Sequence, residues 1–161
     1  GLPQDILEKE VKVATKRLGI EPDHLIIYGF EVRKLNYMRQ DLLEELVQLK
    51  QKIQPDLVFM PSPNDLHQDH HTVAMEGLRA FKQTSILAYE VPWNNLRFEN
   101  QCFVRLEAEH VRQKVYALDA YNSQKTRQYA REDFIYALAR TRGVQAGTEF
   151  AEAFEVIRWI M

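Results

Sequence analysis

Strand-length and helix-length segments alternate along this chain, and the sequence predicts a three-layer α/β fold with a mainly parallel sheet. Two observations carry that reading. Short apolar runs recur over residues 25–30, 57–60, 85–89, 102–105 and 154–160, each too brief for a helix. The segments between them repeat apolar positions at helical spacing, and Gly19, Gly29, Pro55 and Gly143 punctuate the junctions. At 161 residues the length suits one domain, 1–161, with enough core to fold alone.

In chain order, residues 5–18 read as a helix with Ile6, Val13, Leu18 and Ala14 on its packed side, stopped by Gly19. Residues 25–30 read as a strand ending near Gly29. The clearest amphipathic helix covers 36–54. Leu42, Leu43, Leu46, Val47 and Ile53 form its apolar stripe, and Glu44, Glu45, Lys50 and Lys52 its wet face. Pro55 ends it, and strand 57–60 follows. A helix over 72–82 carries Ala74, Leu78 and Phe81 on one side, and strand 85–89 runs into a polar and aromatic loop, Glu90 to Asn95. Residues 102–105 read as a short strand. The helix over 107–121 spaces Val111, Val115 and Leu118 at i, i+4 and i+7, a last helix covers 131–142 up to Gly143, and residues 154–160 alternate as a final strand.

Bulk properties exclude several classes. Lys plus Arg (21) nearly balances Asp plus Glu (23), so no strong field points to nucleic acid or an anionic membrane. Cys102 is the only cysteine, which rules out an internal disulfide and fits a reducing, cytoplasmic setting. No apolar stretch has the length of a membrane span. Gly1 to Asp5 has neither the basic nor the apolar part of a signal peptide. Gly-x-Gly-x-x-Gly and phosphate-loop signatures are absent.

Chemistry concentrates after the strand at 57–60, in the run from Pro61 to His71. It holds three of the five histidines and two carboxylates, Asp65 and Asp69. Ligands and catalytic groups are often carried beyond the carboxyl ends of strands in open α/β sheets. Imidazole is the commonest side-chain ligand for zinc, and a catalytic zinc takes three protein ligands with one position left for water. The run has room for one or two such ligands, so others must come from elsewhere. A carboxylate beside an imidazole orients it and favours its charged form. The plainer alternative is a solvated helix N-terminus capped by Asp65 or Asp69.

Asp65-x-His67-x-Asp69-His70 after a strand resembles the second motif of the PIG-L/LmbE-like zinc de-N-acetylases. Three further patches occur in that family's order. They are Glu10-x-x-x-Ala14-x-x-x-Leu18-Gly19, then Lys114-x-x-Ala117-Leu118-x-x-Tyr121-x-Ser123-Gln124, then Arg142-Gly143-x-x-x-Gly147 with Ala151-Glu152-x-Phe154. The resemblance implies a Rossmann-like LmbE-like fold and a mononuclear site for Zn2+ or another divalent metal. It implies His70 as a metal ligand, His67 as the protonated group that stabilises the oxyanion, and Asp69 as the carboxylate that orients His67. The substrate would be an N-acetylglucosamine-type sugar or glycoconjugate, yielding acetate and a free amine. The family's first motif, His-Pro-Asp-Asp-Glu after a first strand, is absent here. The resemblance therefore implies an N-terminally incomplete domain without its first strand, two of its three zinc ligands and its general base, inactive as it stands.

Other residues are weighed against plainer roles. Trp93 and Asn94, with Tyr89 and Glu90, follow a strand and suit a sugar site, since aromatic faces stack on pyranose rings; a buried Trp anchor serves as well. Arg33, and Asp65 in its own loop, are candidates for substrate contact, although an arginine so placed is more often a surface ion pair. His24 and His110 read as surface residues, and Cys102 as a small core residue. Two other functions stay open: a DHH-type metal phosphoesterase using Asp69, His70 and His71, and a non-catalytic α/β domain that binds a carbohydrate or partner protein. An unpaired sheet edge would also favour self-association as a homo-oligomer.

Overall fold

The structure, a computed structural model, describes residues 5–161; the signal-peptide reading of residues 1–4 lies outside them. Five helices and four strands follow one another: α1 (Ile6–Arg17), α2 (Arg39–Ile53), β1 (Leu57–Pro61), α3 (Gln68–Ala80), β2 (Ser85–Tyr89), β3 (Cys102–Leu106), α4 (Ala108–Leu118), α5 (Glu132–Ala146) and β4 (Phe150–Arg158). The strands form one open sheet in the order β1-β2-β4-β3. β1 and β2 are parallel, as α3 crosses over between them, and β4 runs antiparallel to β2. The α/β class holds, with a mixed sheet in place of a mainly parallel one.

Contacts divide the chain into two compact units. One takes the described residues up to Tyr28 with Phe103–Glu152, the other Gly29–Cys102 with Ala153–Met161. In the first, Val111, Ile135, Ala139 and Phe150 make the buried cluster, with Tyr136 edge-on to Phe150 at 5.9 Å between ring centres. In the second, Leu43 of α2, Met60 of β1, Ala80 and Phe81 at the end of α3, and Ile86 of β2 pack together. Full burial of a side chain such as Ile86 contributes roughly 1.5–3 kcal/mol. Gly77 lets α3 lie close on β1, since a Cβ there would stand 3.0 Å from the Met60 methyl.

Several boundaries differ from the sequence reading, each for a local reason. Residues 25–30 are coil and not a strand, with Ile26 and Ile27 well exposed. A strand is defined by its ladder of backbone bonds, and this segment is not one of the four strands of the sheet. In α1, Glu10 and Ala14 are buried while Val13 and Leu18 are exposed. Both oxygens of Glu10 accept from Ser123, its N–H at 2.8 Å and its hydroxyl at 2.6 Å, so a polar contact turns the helix. Ile53 is likewise exposed, in the last turn of α2. Helix α5 runs through Gly143 and stops at Gly147, which takes φ 68 in the left-handed region that favours glycine. Gly143 serves close approach: a Cβ there would lie 2.3 Å from the Glu149 carbonyl oxygen.

Candidate active site

The histidine run does not lie in a loop. Helix α3 begins at Gln68, four residues before the expected start, so Gln68 to His71 form its first turn and His67 is the N-cap. The turn before it is built from backbone bonds. Asp65 N–H donates to the Ser62 carbonyl at 3.1 Å, and Leu66 N–H donates to the Asn94 carbonyl at 3.0 Å. An antiparallel bridge joins Asp65 and Asn95, so the loops after β1 and β2 are laced together. The Pro61–Asp65 turn is thereby fixed before any side chain is considered.

Asp65 is the hub. Its side chain is fully buried; Oδ1 accepts the His67 N–H at 2.7 Å and Oδ2 lies 2.8 Å from His70 Nδ1. An ionised carboxylate only accepts, so His70 Nδ1 carries the proton and His70 Nε2 keeps its lone pair. That lone pair is what a metal or a transferable proton requires. The His67 ring stacks on His70 with centres 4.5 Å apart and 24° between planes. Its Nδ1 accepts the Asp69 N–H at 3.2 Å, which places the proton of the neutral ring on Nε2. Two imidazoles thus stand together with opposite faces, one a lone pair and the other a donor.

Asp69 differs from its expected role. It meets His67 through its backbone N–H, while its carboxylate Oδ2 accepts the Arg33 N–H at 2.6 Å. The acid that orients a histidine in this structure is Asp65, and the histidine is His70. Among the described residues, Asp69 Oδ1 is buried without a hydrogen-bond partner. A buried carboxylate oxygen without a donor is costly, and the atom suits a bound cation, water or polar group.

Arg33 is held by its backbone. It has φ 69, unusual outside glycine, with its N–H on Asp69 and its carbonyl accepting from the Gln68 amide. Its side chain is exposed. Trp93 is about half exposed, and Asn94 serves the loop contact through its backbone. Tyr89, at the end of β2, is half buried; burial pushes its phenol up, and the negative charge of Asp65 adds to the shift. His71 Nδ1 faces the Pro63 carbonyl at 2.9 Å. His110 lies apart from this site as part of the α4 capping box, its Nδ1 accepting the Glu107 N–H at 3.0 Å.

The donor chemistry at His70 suits a metal: a neutral imidazole with an outward lone pair, oriented by a carboxylate on its other nitrogen. Among the described residues, however, no group of three or more His, Cys, Asp and Glu side chains is placed to hold an ion. A catalytic zinc normally takes three protein ligands.

Fold and site together define the class, an α/β protein with an acid-oriented imidazole pair at the head of the helix that follows a sheet strand. The family model for PIG-L, the GlcNAc-PI de-N-acetylase, matches residues 4–81, which include this site. Three solved structures share the fold. A conserved protein from Thermus thermophilus is 21% identical with TM-score 0.71, covering 99% of this chain and 76% of its own. The N,N'-diacetylchitobiose deacetylase from Pyrococcus horikoshii is 19% identical with TM-score 0.72, covering 94% and 63%. The 4-carboxy-2-hydroxymuconate hydratase from Pseudomonas putida is 19% identical with TM-score 0.64, covering 98% and 73%. The first half of the chain thus resembles the PIG-L family, and the whole chain shares the fold of these solved structures. One of these neighbours is a hydratase, so the fold by itself leaves the reaction to the site.

Proposed function

We propose that this chain carries the imidazole half of a metal-dependent de-N-acetylase site, acting on the acetamide of an N-acetylglucosamine-type sugar or glycoconjugate. The observation that carries the reading is the pair His67 and His70, stacked, with a donor on one Nε2 and a lone pair on the other. The match of residues 4–81 to the GlcNAc-PI de-N-acetylase family supports it. His70, oriented by Asp65, would be one ligand of a divalent metal such as Zn2+. When bound, such a metal polarises the amide carbonyl and lowers the pKa of a bound water. His67 would direct its Nε2–H at the oxygen that gains charge in the tetrahedral intermediate and, once it has taken up a second proton, would hand one to the departing amine. Asp69 sets the His67 ring through its amide and leaves Oδ1 for a polar group of the site. Arg33 and Trp93 would contact the sugar and its substituents, with Asn94 fixing the loop that bears Trp93. The lone, half-buried Cys102 is consistent with a reducing, cytoplasmic location.

The test is a pair of substitutions in the full-length gene product, read by acetate release and by zinc titration. His70→Ala should lower both metal binding and turnover. His67→Ala should leave metal binding near its starting level and lower turnover by about a hundredfold or more, the usual weight of one acid–base group. Equal metal loss in the two variants would end this division of roles.

A further inference from the structure

We propose that Glu155 is a positioning residue for this site, holding the Ser62 side chain and with it the turn that brings Asp65 to His70. The proposal rests on the reading of His70 and Asp65 as working groups. Glu155 lies in β4 and is only 5% exposed, yet among the described residues it has no cationic partner. Its Oε2 accepts the Ser62 hydroxyl at 2.5 Å, and its Oε1 accepts the Glu99 N–H at 3.0 Å. Ser62 is fully buried. Its Oγ accepts the Asn64 N–H at 3.1 Å and its carbonyl accepts the Asp65 N–H at 3.1 Å. Two successive amides of the turn are therefore bonded to one residue, and Glu155 fixes that residue's rotamer. Asp65 continues the chain to the His67 amide and the His70 ring.

The identity of the acid matters to the direction of this chain. A carboxylate only accepts, so the Ser62 hydrogen must point at Glu155 and the Ser62 lone pairs are left for Asn64. A glutamine of the same shape can present its amide hydrogens to Ser62 and free the hydroxyl hydrogen to turn toward the Asn64 amide, where it repels. A carboxylate buried on neutral donors costs stability that an apolar side chain would not. Placement of the Asp65 turn is what the costly choice provides.

The experiment reads the His70 ring directly and needs no turnover. Protein labelled with nitrogen-15 in histidine reports by NMR which ring nitrogen holds the proton. The unaltered protein should show His70 as the Nδ1–H form with a slowly exchanging proton. Glu155→Gln and Ser62→Ala should each lose that slow proton and mix the two forms, while His110, capped in the other unit, keeps its signal. A His70 signal unchanged in either folded variant, whatever happens to the unfolding midpoint, overturns the proposal and leaves Glu155 a structural group of β4. Should both variants fail to fold, the unaltered protein decides: the Asn64 and Asp65 amides must exchange slowly, and exchange at open-loop rates overturns it. A His70 signal that follows Glu155 in a protein releasing no acetate keeps the positioning and discards the deacetylase. Acetate release with a His70 signal indifferent to both substitutions does the reverse.

Discussion

Glu10 and Asp65 are both buried carboxylates, and both lie in segments that resemble one family's motifs, but they end differently. Glu10 closes a circuit: both its oxygens are taken by Ser123, and nothing beyond that turn depends on them. Asp65 opens one: it holds a backbone amide with one oxygen and with the other prepares an imidazole whose far nitrogen stays available. The first arrangement joins α1 to the turn after α4. The second leaves the far ring nitrogen of His70 with its lone pair. A matched motif is thus structural or chemical according to whether its hydrogen bonds end inside the fold or leave an unpaired atom facing out. The other patches that resemble the family fall on the structural side. Lys114 meets Glu152 in an ion pair, Ala14 and Ala117 are buried, and Gly143 brings α5 against the start of β4.

The sharpest challenge to that division is Gly143→Ala. Its added methyl would meet backbone and not a flexible side chain, so relief requires moving α5 or residues 149–150. We expect a loss of about 3 kcal/mol or more in urea unfolding, with the His70 signal intact where the protein folds. Next come Glu10→Ala and Asp65→Ala, which should separate the two carboxylates. Each leaves donors unpaired and should cost about 2–3 kcal/mol. Only Asp65→Ala should also release the His70 tautomer and weaken zinc binding; a zinc effect of Glu10→Ala would break the comparison. Gly147→Ala is smaller. Open space surrounds the position, so only the positive φ is penalised, and about 1 kcal/mol is expected from thermal or urea unfolding.

The smallest effect concerns pH. Tyr89 has its phenol raised by burial and then by Asp65, so the folded state resists its ionisation. The stability tied to it is complete below the ordinary phenol value of about 10 and is lost as pH rises through the folded value. Tyr89→Phe should therefore lose less stability than the unaltered protein between about pH 8 and about pH 11. Tyr121, raised by burial and by the charge of Glu10, should keep its own share of the alkaline loss. If the substitution leaves the alkaline slope unchanged, Asp65 is not felt at Tyr89.

The histidine and carboxylate cluster is legible in the sequence because it is local. Asp65, His67, Asp69 and His70 fall within six residues, and their spacing alone marks a place where imidazoles and acids converge. Their division of labour was not legible. Whether Asp65 or Asp69 orients a histidine depends on where α3 begins, and Asp69 is drawn away by the backbone of Arg33, distant in sequence. Ser62 and Glu155 gave almost no signal: a serine between prolines and an acid in an alternating strand are unremarkable, and they meet across 93 residues of chain.

Periodicity alone predicts the alternation of helices and strands and the apolar faces of α2, α3 and α4. Those depend on periodicity and on neighbours within a turn, which any segment carries with it. Tertiary structure decided that residues 25–30 make no strand, that β4 runs antiparallel, that Gly143 marks a crossing while Gly147 ends the helix, and that Asp65 serves His70. Each of these is a hydrogen bond or a close approach between groups far apart along the chain. Such partners are chosen only when the backbone has brought them together.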